Sequence, residues 1–217
     1  MRSKPEIISL LTNPGVIAVV RAQKQGQVLP LSEALLAGGV IAIEITMSTP
    51  NAIAAIHDAR AAFGNRAVIG VGTVLDVPTC QAALDAGAEF VVSPILRPEL
   101  VPLCREAGRP VMLGAFTPTE AQLAYEAGAD FIKIFPSDTL GPGFIKAIRA
   151  PLPHLKIIPT GIADAKQVPE LIKAGCVAVG VGSLLCSAEV LRNADWPELT
   201  RRAAEFVALV HGARAAA

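Results

Sequence analysis

The chain has 217 residues, of which 52% are hydrophobic and 18% charged, and its formal net charge is zero. This length and apolar content suffice for one sizeable domain with a buried core. The balanced charge gives no sign of a nucleic-acid partner or an anionic membrane partner. The longest uncharged run, residues 174–188, is too short to span a bilayer.

The N-terminal residues and the cysteines bear on the compartment. Four of the first six residues, Arg2, Ser3, Lys4 and Glu6, are polar, and the apolar patch behind them is brief, which is not the pattern of a signal peptide. The three histidines form no local ligand pair. We therefore expect a cytoplasmic protein that needs no metal or other cofactor. No CxxC pair occurs, and buried reduced thiols are predicted for Cys80, Cys104, Cys176 and Cys186.

An amphipathic segment from Lys4 to Leu11 opens the chain and predicts an N-terminal helix within residues 1–13. Eight apolar runs follow, each typical of a strand buried on both faces. Four of them come after an Ala-Gly pair, where glycine suits the left-handed residue that ends a helix. The predicted strands are Val16–Val20, Val40–Thr46, Ala67–Gly72, Phe90–Val92, Pro110–Gly114, Phe131–Phe135, Lys156–Thr160 and Cys176–Val179.

Helical stretches separate these strands, and three of them begin with capping patterns. A closing helix is expected near residues 196–210, followed by a frayed tail at 213–217. Eight strands that alternate with helices predict one (β/α)₈ TIM barrel over residues 1–217, with an additional N-terminal helix. An open doubly wound sheet is the alternative, although no GxGxxG follows the first strand. The predicted helix starts are Thr49-Pro50-Asn51, Asp76-Val77-Pro78-Thr79 and Thr117-Pro118-Thr119-Glu120.

Lys133 lies in the middle of the sixth predicted strand. Burial disfavours the ammonium form of a lysine, so this strand could present a neutral amine in an apolar pocket. A neutral amine is what a Schiff-base nucleophile requires. The alternative is a lysine that extends to solvent from the strand end. Because Phe135 and Pro136 continue the apolar run, we favour the nucleophile.

Glu44 is the second polar residue inside an apolar strand. Alternation places it on one face with Ala42 and Thr46, while the flanking isoleucines face the helices. Glu44 is therefore predicted to point into the barrel, where it could meet Lys133 at a similar height. Within a pocket such a pair serves proton transfer, and the alternative is a structural ion pair.

Other polar residues follow the strands at the end where barrels carry their active sites. Arg21 could hold a carboxylate by a two-pronged contact, or it could be a surface arginine. Thr73 offers a hydroxyl group, or it could cap a helix. Gly180-Val181-Gly182-Ser183 could present N–H groups and a hydroxyl to a phosphate, although a tight turn also needs glycine.

Several motifs occur together in one order and spacing, and in this combination the chain resembles a known family. It resembles, nearly end to end, the pyruvate-dependent class I aldolases of the 2-keto-3-deoxy-6-phosphogluconate (KDPG) and 4-hydroxy-2-oxoglutarate (KHG) type. The motifs are Glu44-Ile45-Thr46, Gly70-Val71-Gly72-Thr73-Val74-Leu75, Ser93-Pro94, Phe131-Ile132-Lys133-Ile134-Phe135-Pro136, Pro159-Thr160-Gly161 and Gly182-Ser183.

The resemblance implies a small (β/α)₈ barrel, usually a homotrimer, that acts on pyruvate and an aldehyde. Lys133 would be the Schiff-base lysine and Glu44 the proton shuttle. The remaining substrate-binding residues divide into two sets. Arg21 and Thr73 would bind the pyruvate carboxylate and Pro94 and Phe135 would line the pocket, with the aldehyde side expected at Thr160, Gly161, Gly182 and Ser183.

The chain departs from the family pattern at two places. Many members have an arginine shortly after the second-strand glutamate, where this chain reads Met47-Ser48. The galactonate-type branch also lacks that arginine, which gives Arg21 more weight. Phosphate-binding members read Thr-Gly-Gly after the seventh strand, whereas Ile162 replaces the last glycine here. A branched residue at that place favours an unphosphorylated partner such as 4-hydroxy-2-oxoglutarate.

The sequence thus predicts a metal-independent lyase that cleaves a 4-hydroxy-2-oxo acid into pyruvate and an aldehyde. Two other classes stay open. One is a sugar-phosphate isomerase or epimerase on the same barrel, with Glu44 as its base. The other is a non-catalytic barrel that binds oxo acids.

Overall fold

The computed structural model describes residues 2–216, and its eight parallel strands confirm the predicted (β/α)₈ barrel. The strands are β1 Val16–Val20, β2 Ala42–Thr46, β3 Val68–Gly72, β4 Val91–Val92, β5 Val111–Ala115, β6 Phe131–Ile134, β7 Ile157–Pro159 and β8 Val179–Val181. They pair in the order β7-β6-β5-β4-β3-β2-β1-β8. A bridge between Thr160 and Gly180 joins β7 to β8, so an open doubly wound sheet is excluded.

Helices surround the barrel, and a further helix precedes it. They are α1 Lys4–Thr12, α2 Val28–Ala37, α3 Ala52–Phe63, α4 Val77–Asp85, α5 Leu100–Glu106, α6 Pro118–Glu126, α7 Ser137–Arg149, α8 Gln167–Lys173, α9 Ala188–Asn193 and α10 Trp196–Ala215. The short helix α9 was not predicted. Helix α10 includes the first three residues of the Ala-rich tail, and Met1 and Ala217 lie outside the described residues. No helix within residues 2–216 has the length and apolar character that crossing a membrane requires.

Two of the three predicted helix starts are confirmed by their caps. Asp76 accepts a hydrogen bond from the N–H of Thr79 at 2.7 Å. At α6, the Thr117 hydroxyl accepts from the N–H of Glu120 at 3.2 Å, and the Glu120 carboxylate accepts from the N–H of Thr117 at 2.8 Å. This reciprocal pair is the capping box that the sequence predicted.

At the third predicted start, Thr49-Pro50-Asn51, a helix does follow, but the prediction that Thr49 caps it is wrong. Helix α3 begins at Ala52, and Asn51 precedes it with a left-handed φ of 53° and no side-chain cap. The Thr49 hydroxyl instead accepts a hydrogen bond from the N–H of Ala22, 27 residues earlier in the chain, at 3.1 Å. The threonine therefore connects two loops at the barrel mouth and does not start a helix.

The core has two layers, because successive strand residues point to opposite faces of the barrel wall. Ile43 and Ile45 of β2 belong to the outer layer between the strands and the helices. Phe90 and Phe131 belong to the inner layer. Helix α1 adds apolar side chains to that inner layer, so the N-terminal end of the barrel is filled and the opposite end carries the polar groups.

The contact of α1 with the inner core leads to a stability prediction. Leu11 is 1% exposed and packs in the inner layer. Leu11→Ala should lower the free energy of unfolding by about 2–5 kcal/mol, because it leaves a cavity. The control is Leu123→Ala on α6, where the leucine is 46% exposed and the expected cost is about 0.5 kcal/mol. Urea unfolding measures both, and equal costs would contradict the packing of α1 in the core.

The four cysteines are buried and unbridged, as the sequence predicted. Burial raises the pKa of the Cys176 thiol to about 12. Burial also raises the pKa of the Cys186 thiol to about 12. Both thiols therefore stay protonated at neutral pH, and they pack as small apolar side chains.

Candidate active site

Glu44 and Lys133 lie within β2 and β6, and the other predicted site residues lie just beyond the C-terminal ends of the strands. This is the end at which barrel enzymes place their chemistry. Their environments differ, because Glu44, Lys133 and Thr160 are buried whereas Arg21 and Ser183 are exposed. Partial exposure to solvent is found for Thr73, Pro94, Phe135, Gly161 and Gly182.

Lys133 of β6 and Glu44 of β2 meet inside the barrel. Lys133 is 3% exposed and Glu44 is 2% exposed. Lys133 Nζ lies 3.8 Å from Glu44 Oε1, which is beyond the range of a direct hydrogen bond. Within residues 2–216, Glu44 Oε1 accepts no hydrogen bond at all. An amine and an open carboxylate oxygen at this spacing can exchange a proton with a group that enters between them.

A second buried glutamate, Glu89, is a carboxylate with a structural role and serves as a comparison for Glu44. It is 1% exposed and lies before β4, towards the N-terminal end of the strands. Its carboxylate accepts hydrogen bonds from Arg2 at 2.9 Å and from Arg60 at 2.7 Å. The N–H of Ile69 makes a longer contact at 3.4 Å. Because Glu89 is fully paired and Glu44 is not, the same residue type serves two purposes at the two ends of the barrel.

Two strand glycines make room for the site, and the sequence did not single out either for this role. A Cβ atom at Gly72 would overlap the Glu44 carboxylate. Gly114 is paired with Lys133 in the β5–β6 register, and a Cβ there would overlap the backbone of Pro94. A glycine inside a strand is the signal that could have found them, since it marks a close approach by another group. Gly114 thus allows the backbone of Pro94 to approach β5 at the residue that pairs with Lys133.

Phe135 closes the site on the side of β7. The centre of its ring lies 5.3 Å from Lys133 Nζ. Gly161 has a φ of +83°, and a Cβ there would lie 3.5 Å from the same ring. The predicted residues Phe135 and Gly161 therefore lie together, next to the lysine.

Thr73 and Arg21 occupy opposite sides of β2. Thr73 follows β3 with a left-handed φ of 62°, which is unfavourable for a β-branched residue and is often found at functional sites. It is not a helix cap, because Asp76 caps α4. Arg21 follows β1, and its Nη1 would lie 3.5 Å from a Cβ at Gly182. The guanidinium therefore lies beside the loop after β8.

Ile162 does not extend into the barrel mouth. Its side chain is 5% exposed and packs in the outer core. The left-handed position in this loop is Gly161, which the chain retains, and Ile162 is not among the positive-φ residues. The isoleucine side chain therefore packs away from the barrel mouth, and its branched shape is no steric reason to expect an unphosphorylated substrate.

Curated proteins with similar sequences are aldolases. The 2-dehydro-3-deoxy-phosphogluconate aldolase of Pseudomonas aeruginosa is 32% identical over 206 residues, which cover 92% of this chain and 90% of that protein. The 2-dehydro-3-deoxy-6-phosphogalactonate aldolase of Escherichia coli is 36% identical over 172 residues, which cover 77% of this chain and 82% of that protein. Both relatives are named for phosphorylated substrates.

A solved structure and a family model agree with these relatives. A KDPG aldolase from Legionella pneumophila, solved with pyruvate captured at low pH as a covalent carbinolamine, is 29% identical. It superposes with a TM-score of 0.85 and covers 92% of this chain and 97% of its own. The family model described as KDPG and KHG aldolase matches residues 7–202. The chain therefore belongs to the KDPG and KHG aldolase family.

Proposed function

We propose that the chain is a class I aldolase that reversibly cleaves a 4-hydroxy-2-oxo acid into pyruvate and an aldehyde. The observation that carries the proposal is the buried amine of Lys133, 3.8 Å from Glu44 Oε1. This spacing leaves the carboxylate oxygen open to a reacting group. The names of the relatives from Pseudomonas aeruginosa and Escherichia coli support the same reaction class.

The first half of the reaction forms an imine. The amine of Lys133 adds to the C2 ketone of the substrate and gives a carbinolamine. Glu44 takes up a proton and delivers it to the C2 hydroxyl, which leaves as water. The nitrogen lone pair then forms the protonated imine. The low exposure of both side chains keeps bulk water from competing for these protons.

The second half breaks the carbon–carbon bond. The Glu44 carboxylate accepts the proton of the C4 hydroxyl while the C3–C4 electron pair moves toward the iminium nitrogen. The aldehyde leaves, and an enamine of pyruvate remains on Lys133. Protonation at C3 and addition of water to the imine then release pyruvate and restore the free amine.

The other predicted residues receive their roles in this proposal. Arg21 and Thr73 hold the carboxylate of the oxo acid, because a guanidinium and a hydroxyl donate hydrogen bonds to it. Pro94 and Phe135 line the pocket around Lys133. The aldehyde half of the substrate extends toward the loops after β7 and β8, with its contacts at Thr160, Gly161, Gly182 and Ser183.

We also propose the setting in which the enzyme works. Residues 1–217 form a single barrel domain with its N-terminal helix, and the enzyme is a homotrimer in the cytoplasm. The proposal rests on the family resemblance and on reduced, buried cysteines. Light scattering of the purified protein measures the trimer mass directly.

The imine can be trapped on the enzyme. Borohydride added in the presence of pyruvate should reduce the imine to a stable secondary amine, and peptide mass analysis should place the adduct on Lys133. Borohydride without pyruvate is the control and should leave the lysine unmodified. An adduct on another residue, or the absence of any adduct, would contradict the mechanism.

The position of the Glu44 carboxylate can be tested through Gly72. Gly72→Ala adds a methyl group that overlaps this carboxylate. Since a displacement of about 1 Å costs on the order of 100-fold in rate, kcat should fall by about that factor. Gly143→Ala is the matched control, because a Cβ there meets nothing within 4 Å. If the two variants have the same kcat, Glu44 does not need the position that the structure gives it.

The aldehyde half can be identified with a substrate panel. We expect the phosphorylated gluconate and galactonate acids to be cleaved with higher kcat/KM than 4-hydroxy-2-oxoglutarate. Ile162 packs in the outer core, so its branched side chain gives no reason to expect an unphosphorylated substrate. A preference for 4-hydroxy-2-oxoglutarate would restore the expectation drawn from the sequence.

A further inference from the structure

The backbone on both sides of Arg21 is held by threonine side chains from the neighbouring strand end. The Thr46 hydroxyl donates a hydrogen bond to the carbonyl of Val20 at 2.9 Å. The Thr49 hydroxyl accepts a hydrogen bond from the N–H of Ala22 at 3.1 Å. Residues 20 and 22 flank Arg21 directly, so both of its neighbours along the chain are fixed.

These bonds extend the contact between β1 and β2 beyond its backbone ladder. The last register pair of these strands is Val20 with Ile45. Thr46 is 0% exposed and Thr49 is 2% exposed, so water does not compete for either bond. Each threonine hydroxyl therefore replaces a backbone contact that the ladder no longer provides.

A third hydroxyl completes the arrangement. Thr46 Oγ1 and Ser48 Oγ lie 2.8 Å apart. Because the single proton of the Thr46 hydroxyl is directed at the Val20 carbonyl, Ser48 must be the donor in this pair. The chain of donors therefore runs from Ser48 to Thr46 to the backbone of Val20.

We propose that Thr46 and Thr49 are positioning residues that aim Arg21 at the carboxylate of the oxo acid. The inference rests on the proposed function, in which Arg21 binds that carboxylate. The Arg21 side chain is exposed and, among residues 2–216, makes no hydrogen bond or ion pair of its own. The backbone is therefore the part of Arg21 that the structure fixes, and fixing it lowers the ordering cost when the guanidinium binds the carboxylate.

This role predicts a specific kinetic signature. The carboxylate keeps its charge through every step, so its contact with Arg21 is equally strong in the ground state and the transition state. Losing such a contact raises KM and leaves kcat unchanged. A threonine that only stabilised the fold would change the melting temperature and neither kinetic constant.

The test measures the pyruvate concentration that gives half-maximal borohydride trapping. Pyruvate carries a carboxylate and no phosphate, so the probe reports only the carboxylate contact. Thr49→Val should raise this concentration about three- to tenfold, the equivalent of one lost hydrogen bond, and kcat should stay within about twofold. Thr49→Ser should restore the wild-type value, and Thr46→Val repeats the test at the second residue.

Thr200→Val is the matched control. The Thr200 hydroxyl on α10 donates to the carbonyl of Ala34 on α2 at 2.9 Å, so this variant also removes a hydroxyl-to-backbone bond, between two outer helices. It should leave the half-saturating pyruvate concentration unchanged, whatever it does to the melting temperature.

A double-mutant cycle with Arg21→Met shows whether the effect passes through the arginine. In the Arg21→Met background, Thr49→Val should cause no further rise. Normal trapping with an unchanged half-saturating concentration in Thr49→Val would overturn the positioning role alone, as would an equal rise in both backgrounds. A wild-type protein that forms no pyruvate adduct would overturn the proposed function, and this inference with it.

Discussion

Lys133→Met is expected to lower kcat/KM for cleavage by on the order of 10⁵-fold, because it removes the atom that forms the imine. Methionine has a similar length and is apolar, so it fills the same buried strand position. Steady-state cleavage of the best acid in the substrate panel gives the measurement. Borohydride and pyruvate should leave no adduct on this variant.

Lys156→Met is the control for this experiment. Lys156 is exposed and precedes β7, whereas Lys133 is buried and approaches the C-terminal end of β6. The control should retain its full kcat/KM. If Lys133→Met keeps substantial activity, imine chemistry is wrong, and an isomerase or epimerase with Glu44 as its base becomes the better explanation.

The stability of Lys133→Met must be measured beside its activity. The variant exchanges a buried amine, 3.8 Å from Glu44 Oε1 and without a direct hydrogen bond to it, for a thioether of similar length, and a single substitution of this kind typically costs about 1 kcal/mol. Rates are therefore compared at a temperature at which circular dichroism shows both proteins to be folded. A loss of rate in the folded variant then belongs to the chemistry.

The sequence predicts the centre of the site because that centre depends on local geometry. The period of two along a strand determines that Glu44 faces inward while Ile43 and Ile45 face the helices. A lysine inside an apolar strand is likewise visible without any tertiary information. Closure of the barrel then brings the inward side chains of β2 and β6 together, and Lys133 Nζ lies 3.8 Å from Glu44 Oε1.

What the sequence could not predict depends on contacts between distant segments. Thr49-Pro50 resembles a helix start, yet the Thr49 hydroxyl bonds to Ala22, because the same acceptor fits a helix N-terminus and a neighbouring loop. In the sequence Glu89 has no basic residue beside it, whereas in the folded barrel it accepts a hydrogen bond from Arg2, 87 residues away. These partners come together only in the folded barrel, so local sequence patterns do not reveal them.

Glu44→Gln is expected to lower kcat by about 10²–10⁴-fold, the range typical of a lost general acid–base group. Glutamine keeps the size and shape of the side chain but can neither deliver a proton to the C2 hydroxyl nor accept one from the C4 hydroxyl. Pyruvate should still add to Lys133, although more slowly, so borohydride should trap an adduct after longer incubation. A variant with unchanged kcat would show that another group moves the protons.

The two buried glutamates allow the catalytic role to be separated from the structural one. Glu89→Gln replaces a carboxylate that accepts hydrogen bonds from Arg2 and Arg60 with a neutral amide. It should lower the free energy of unfolding by about 3 kcal/mol, and kcat should stay within about twofold of wild type. Glu44→Gln should do the opposite, because Glu44 Oε1 has no hydrogen bond to lose within residues 2–216. Urea unfolding and cleavage rates of both variants measure the contrast. If Glu44→Gln loses stability and Glu89→Gln loses kcat, the assignment of the two residues is reversed.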